Sequence, residues 1–416
     1  MKYALINCYS DNNRGDLAII IATIKLLKEH DQSADIAGVS TYNVSDPLYS
    51  SEHKILNNYI PVLPSIYGVV NMGKSHSTLL KIIRFFYETI RIFISLLLPK
   101  KIVKVMYTSK ERTSIDLICN SDYVISKGGS FICSDHSIRS QIALIRLLYI
   151  FILCIKLGKP PLILCQSIGP YSGYITRFLT NFVLTRCSAV VLREDVCTDS
   201  YDYIKLPNIK YVSTDIAFFA ENIELSTDLK ISPDCMCIGI TIKNVESNLN
   251  EDYINMFVDT IKYCVSKYGA KIYIFPHVTI DNDIDNSFEV YKRLPDSVKQ
   301  HVVVFSDDYH ALHLKTIYKE MTFFIGTRLH STIFSLSENV PSICITYHGT
   351  KALGVFKTLG MEEYVLIRYS GSELISVFEK LIENNLKIKD DLKITLSAKR
   401  SDLMIVFEEL FKKTSR

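Results

Sequence analysis

Residues 321–332 read Met321-Thr322-Phe323-Phe324-Ile325-Gly326-Thr327-Arg328-Leu329-His330-Ser331-Thr332. The first five are short, apolar and β-prone, and Gly326 punctuates them. Ser331 to Leu336 reads as a helix ending near Asn339, with Val340-Pro341 as its stop. The loop between strand and helix carries an arginine and a histidine. A helix N-terminus offers unpaired N–H groups and a partial positive charge, so it attracts anions. Arg328 adds a permanently charged planar fork suited to phosphate or carboxylate. His330 adds a side chain that exchanges a proton near neutral pH. The residues alone leave two readings open. One is an anion site beside a proton-transfer group; the other is an arginine in a structural ion pair and a histidine packed under the next helix.

The same alternation of strand and helix extends in both directions, which is the α/β pattern. Strand candidates in the first half are Tyr3–Cys8, Tyr123–Ser126, Leu162–Gln166 and Ala189–Leu192, and helices fit Asp16–His30, Leu79–Leu98, Ser140–Lys156 and Arg177–Arg186. In the second half the run is Cys237–Ile242, a helix over Glu251–Tyr268, Lys271–Phe275, Val302–Phe305, Phe323–Ile325 and Ser342–Thr346. A polar stretch after Thr214-Asp215-Ile216-Ala217 separates the halves. The expected organisation is a Rossmann-like domain over residues 1–225, a second over 226–390, and a helix within 391–416 that crosses back to the first. Two open α/β domains in succession place a cleft at the carboxyl ends of their strands.

Composition narrows the function. The 416 residues fit two domains better than one core. With 47 basic and 44 acidic residues the net charge is only +3, which argues against a broad nucleic-acid footprint. Eleven cysteines without a paired C-x-x-C array read as reduced, buried thiols of a cytosolic protein, and zinc binding is not expected. The apolar run Leu147–Ile155 is too short to span a bilayer and reads as a buried helix. In Leu79–Pro99 the charges Lys81, Arg84, Glu88 and Arg91 fall along one helical stripe, followed by Lys100, Lys101 and Lys104. That segment reads either as an interfacial helix on an anionic membrane or as a surface helix capping a sheet.

Further polar clusters also follow strands. Asn12-Asn13-Arg14-Gly15-Asp16 precedes an apolar helix, which Asp16 is suited to cap, with sugar or anion contact as the alternative. Ser126-Lys127-Gly128-Gly129-Ser130 pairs two glycines, which let backbone amides approach a ligand or simply make a turn. Gln166-Ser167-Ile168-Gly169-Pro170 and Leu192-Arg193-Glu194-Asp195 come next; Arg193 either enters the cleft or pairs with a neighbouring carboxylate. Thr346-Tyr347-His348-Gly349-Thr350-Lys351 brings a lysine able to neutralise an anion. His277 and His310 also occupy strand-end loops.

In order and spacing, these motifs resemble the polysaccharide pyruvyl transferase family. The matching pieces are N-x-R-G-D at Asn12–Asp16, G-G-S at Gly128–Ser130, Q-S-I-G-P at Gln166–Pro170, L-R-E-D at Leu192–Asp195 and T-D-I-A at Thr214–Ala217. They continue with G-T-R-L-H-S at Gly326–Ser331, N-V-P at Asn339–Pro341 and Lys351–Gly354. Many relatives carry a third glycine where this chain has Ser130, and Gln32–Thr113 matches no motif. The resemblance implies a fold similar to the two-domain GT-B glycosyltransferases and transfer of a pyruvyl group from phosphoenolpyruvate onto a sugar, forming a ketal. On this reading Arg328, Leu329 and His330 contact phosphoenolpyruvate and Arg193 joins them from the opposite domain. The chemistry needs a general acid and a base, and His330 is the candidate for one of these roles, the acid before the base. Ser331, Lys351, Gly129, Ser130, Asn13 and Asp16 are the further candidate substrate contacts. No metal or cofactor is expected beyond the donor substrate. The expected partners are phosphoenolpyruvate and a carbohydrate, lipid-linked in one version, with peripheral contact at the inner membrane face. A nucleotide-sugar glycosyltransferase of the same architecture is the alternative, with Glu338 as the nearest acid for a ribose. A catalytically silent carbohydrate-binding subunit is the third reading.

Overall fold

The chain forms two compact units in the computed structural model, one of Met1–Asp11, Ile19–Asp215 and Leu403–Arg416, the other of Asn12–Ala18 and Ile216–Asp402. The structure describes residues 1–46, 49–67, 78–223, 231, 235–243, 250–277, 283–306, 309–346 and 350–413. The division falls at Asp215/Ile216, whereas the expected boundary at 225/226 lies outside the described residues.

The first unit contains β1 (Lys2–Cys8), β2 (Asp35–Ser40), β3 (Val62–Leu63), β4 (Tyr123–Ser126), β5 (Gly129–Ile132), β6 (Leu162–Ile168), β7 (Ala189–Leu192) and β8 (Lys210–Val212). They pair in parallel in the order β3-β2-β1-β4-β6-β7-β8, with β5 added to β6. Its helices are α1 (Arg14–His30), whose first turn groups with the second unit, α2 (Thr78–Leu97), α3 (Ser109–Asn120), α4 (Ile138–Leu157), α5 (Tyr174–Leu184) and the short α6 (Val196–Asp199). All seven residues of β6 are buried, as a central parallel strand covered on both faces requires. The chain runs outward from β1 to β3, then restarts at β4 on the other side of β1. The topological switch point therefore lies between β1 and β4, where ligands bind in such sheets.

The second unit repeats the plan with β9 (Cys237–Thr241), β10 (Lys271–Ile274), β11 (Val302–Val304), β12 (Phe323–Gly326), β13 (Ser342–Ile345) and β14 (Val365–Leu366), in the order β11-β10-β9-β12-β13-β14. The helices are α7 (Asn250–Tyr268), α8 (Asp283–Arg293), α9 (Asp296–Lys299), α10 (Ala311–Lys319), α11 (Leu329–Ser337), α12 (Lys351–Lys357), α13 (Gly371–Glu383) and α14 (Asn385–Lys413). Here the switch point falls between β9 and β12, so the loop from Gly326 to Leu329 opens directly onto it.

Two helices differ from expectation. The C-terminal helix begins at Asn385, before the expected 391–416 stretch, and its end, from Leu403, belongs to the first unit. There Phe411 packs edge-on against Tyr3 and Tyr123, with ring centroids 5.5 and 4.8 Å away. In α2 the described charges of the stripe, Arg84, Glu88 and Arg91, turn inward, while the Lys81 side chain lies outside the described residues. Arg91 pairs with Glu88 at 2.6 Å and with Glu111 of α3 at 2.8 Å, all three buried. Arg84 donates to Ser45 Oγ. Lys156 of α4 caps α2 by donating to the carbonyls of Ser95 and Leu96 at 2.8 and 2.7 Å. Once Glu88 and Glu111 are buried, Arg91 must follow them, because an unpaired carboxylate in the interior costs several kcal/mol. Among the described residues one helix, α4, is long and apolar enough to cross a membrane, yet Leu144, Leu148, Phe151 and Leu153 pack it into the first unit's core.

Candidate functional site

At the second unit's switch point, Arg328 is the residue before α11 and has extended backbone. Its Nε and Nη2 donate to Asp283 Oδ2 and Oδ1 at 3.2 and 2.6 Å. Asp283 opens α8 and is fully buried, so the pair fixes the plane of the guanidinium. Arg328, Leu329 and His330 are half-buried, which leaves this turn within reach of a small anion. Ser331 is different. It is fully buried, shares a 2.7 Å hydrogen bond with Thr241 Oγ1 and donates to the Arg328 carbonyl at 2.7 Å. The expected substrate contact is thus a buried brace between β9 and the Arg328 turn. Thr327 extends the brace: its hydroxyl donates to the Thr241 carbonyl at 3.0 Å and accepts from the Lys243 amide at 2.7 Å.

The first turn of α1 belongs to the same unit. Arg14 is buried, and its guanidinium donates to the backbone carbonyls of Tyr309 at 2.7 Å and of His277. The arginine of N-x-R-G-D therefore ties the loop after β10 to the loop before α10. Gly15 lies under His330. A β-carbon there would stand 2.7 Å from His330 Cε1 and nearer still to Nδ1 and Cγ. Asn13, not Asp16, caps α1: its Oδ1 accepts from the Asp16 amide at 3.3 Å, which places Asp16 in the first turn. His277 is buried, and burial first, then the charges of Arg14, His330 and Arg328, hold its pKa well below the usual histidine value. Burial likewise pushes His310 down to about 4. Lys351 starts the short helix α12, while Tyr347, His348 and Gly349 lie outside the described residues.

In the first unit the expected donor arginine turns inward. Arg193 is 1% exposed and Asp215 0% exposed, and they pair at 2.6 Å. Arg193 Nε also donates to Ser167 Oγ at 2.6 Å. Three motifs, Q-S-I-G-P, L-R-E-D and T-D-I-A, thus converge on one buried ion pair. Of the two readings the sequence left open for Arg193, the structure shows the ion pair, with Asp215 rather than with an adjacent acid. Gly128 approaches β6 so closely that a β-carbon would lie 2.6 Å from the Leu164 carbonyl oxygen. Gly129 opens β5, and the Ser130 hydroxyl is buried without a hydrogen-bond partner among the described residues.

The model of one protein family, described as polysaccharide pyruvyl transferase, matches residues 13–349. The chain belongs to the polysaccharide pyruvyl transferase family. It is a transferase of the α/β, GT-B-like architecture. The chain is 25% identical over 391 residues to the amylovoran biosynthesis protein AmsJ of Erwinia amylovora, covering 87% of each chain. Among solved structures it is similar to Anabaena HepE in complex with UDP-glucose, with a TM-score of 0.57 and 11% identity over 100% of this chain and 99% of that one. It is also similar to the UDP-GlcNAc 2-epimerase of Neisseria meningitidis, with a TM-score of 0.53 and 14% identity over 96% and 99% of the two chains. At such identities the structures speak for the fold alone.

The family match spans Arg14, Asp283, Arg328 and His330 but stops short of Lys351. Sequence reasoning passed over Arg14, although it sits inside a quoted motif, and had no signal for Asp283, which belongs to none. Glu338, the acid a ribose would need, pairs with Lys315 at 3.3 Å and accepts from Asn222 at 2.7 Å. Among the described residues no cluster of His, Cys, Asp or Glu is placed to hold a metal.

Lys127, next to Gly128, is buried, with its ammonium 5.0 Å from the Phe131 ring. Burial, outweighing attraction to Cys8 and Asp215, pushes its pKa down to about 7. The folded state therefore holds fewer protons than the unfolded chain from about pH 7 to 10, so this lysine makes stability rise with pH in that window. At and below pH 7 its cost is fully present. Lys127→Met is expected to stabilise the protein at pH 7 by on the order of 3 kcal/mol, with the gain fading as pH approaches 10. Urea unfolding between these limits measures it, and a difference that does not change with pH would contradict the assignment.

Proposed function

We propose that the protein transfers a pyruvyl group from phosphoenolpyruvate onto a sugar of a surface polysaccharide or its lipid-linked precursor, in the cytosol, forming a ketal. The observation that carries this reading is the Arg328 turn: a guanidinium held by Asp283 at the N-terminus of α11, with His330 one residue into the helix. The helix N-terminus and the arginine favour a dianionic donor. Asp283 fixes the plane in which a carboxylate or phosphate meets the fork.

In the reaction C3 of phosphoenolpyruvate gains a proton and positive charge develops at C2. One sugar hydroxyl adds there, inorganic phosphate leaves, and a second hydroxyl closes the ring. His330 is the candidate acid for the first step, since it is half-buried beside the anion site. Burial holds the pKa of the neighbouring His277 well below the usual histidine value, so His277 is not the candidate acid.

Calorimetric titration with phosphoenolpyruvate tests the donor. Arg328→Lys keeps the charge but loses the fork, and is expected to weaken binding about tenfold or more. His330→Gln is expected to bind normally yet release no phosphate when acceptor is supplied. Binding of UDP with none of phosphoenolpyruvate would replace this reading with a nucleotide-sugar glycosyltransferase.

A further inference from the structure

We infer that α2 is an interfacial helix that docks the protein on an anionic bilayer through its apolar face. The inference is independent of which donor the enzyme uses. Its first support is the inward turn of the charges already described. The outward face, correspondingly, is apolar: Leu79, Phe86, Phe93 and Leu97 are 67, 59, 64 and 69% exposed, with Ile83, Tyr87 and Ile90 between them. Thr89 is the one polar residue among the described exposed positions of the helix, and none is charged. Twenty residues at 1.5 Å rise make a stripe roughly 30 Å long, well beyond the scattered apolar residues of an ordinary surface.

Charge complementarity selects the occupant. Directly after α2 come Lys100, Lys101, Lys104, Lys110 and Arg112; of the acids nearby, Glu111 is buried on Arg91 and Asp116 pairs with Lys104. Between these cations Ile102 and Val105 are 45 and 71% exposed. Aromatic and aliphatic side chains beside lysines are what a headgroup–acyl boundary takes up. These cations give an anionic bilayer an electrostatic attraction that a second copy, itself basic in this stretch, does not offer. A spanning role for α2 is not implied, because its polar side is satisfied inside the unit.

The chain contains no tryptophan, so Phe93→Trp installs one fluorophore on this face. On the full-length protein the emission is expected to shift to the blue with vesicles of phosphatidylcholine and phosphatidylglycerol, and not with phosphatidylcholine alone at moderate salt. Sedimentation with the anionic vesicles should weaken about fivefold for each of Lys100→Gln and Lys101→Gln, and further as salt rises. Ile90→Glu with Phe93→Glu should abolish it while the circular dichroism stays unchanged. An unshifted tryptophan, equal binding to neutral vesicles, or a blue shift that grows with protein concentration in the absence of lipid would overturn the inference; the last would assign the face to self-association.

Discussion

Gly15→Ala is expected to reduce transfer by at least about a hundredfold while leaving the melting temperature nearly unchanged. The two effects have different origins. Gly15 is the second residue of α1, and its conformation is helical, so alanine suits the backbone and contributes about 1 kcal/mol of helix propensity. The same methyl would stand 2.7 Å from His330 Cε1 and closer to two other ring atoms. No real β-carbon tolerates that, so the imidazole must move by on the order of 1 Å, which is enough to misplace an acid from its carbon. The energetic cost of moving a half-buried ring offsets the propensity gain, and stability shows little net change. A double-mutant cycle separates the contributions: with His330→Ala in place the methyl has room, and adding Gly15→Ala should then stabilise the protein. Full activity in Gly15→Ala would show that the ring position is not needed.

The parallel sheets were legible because their strands leave a local mark. Phe323–Ile325, Ile343–Ile345 and Leu162–Cys165 are unbroken apolar runs, and each is followed by polar or glycine residues. The Arg328 turn was legible for the same reason, since a strand, a glycine and a helix occur within a dozen residues. Which partner an arginine takes leaves no such mark. After an apolar strand, Arg193 reads the same whether it meets a substrate or Asp215; the decision lies in the carboxylate that the fold delivers at 2.6 Å. Asp283 was invisible from the opposite direction, as an acid in a polar stretch that acquires meaning only through Arg328. In α2 the amphipathic period was readable but its sense was not. A helix with one charged and one apolar arc carries no label for which arc faces the core, and here Glu111 and Lys156, on other helices, chose the charged one.

The other large effect concerns Arg193. Arg193→Ala is expected to destabilise the protein by about 3–5 kcal/mol, because it strands the Asp215 carboxylate in a fully buried position. The loss should be measurable as a lowered urea midpoint with an unchanged slope. Asp215→Asn in the same background removes the uncompensated charge, so the double variant should recover much of the stability; a buried pair is usually worth less than the penalty for breaking it. Arg193→Lys should fall between, since an ammonium can satisfy Asp215 but cannot also keep the Ser167 contact in the same plane. The discriminating readout is donor binding at a temperature where the variant remains folded. A structural arginine leaves the affinity for phosphoenolpyruvate within a fewfold of the parent. An arginine that contacts donor would produce the reverse pattern, an unfolding midpoint like the parent's with binding lost. That pattern would return Arg193 to the catalytic group and require the Asp215 pair to open when substrate arrives, at a desolvation cost that binding would have to exceed.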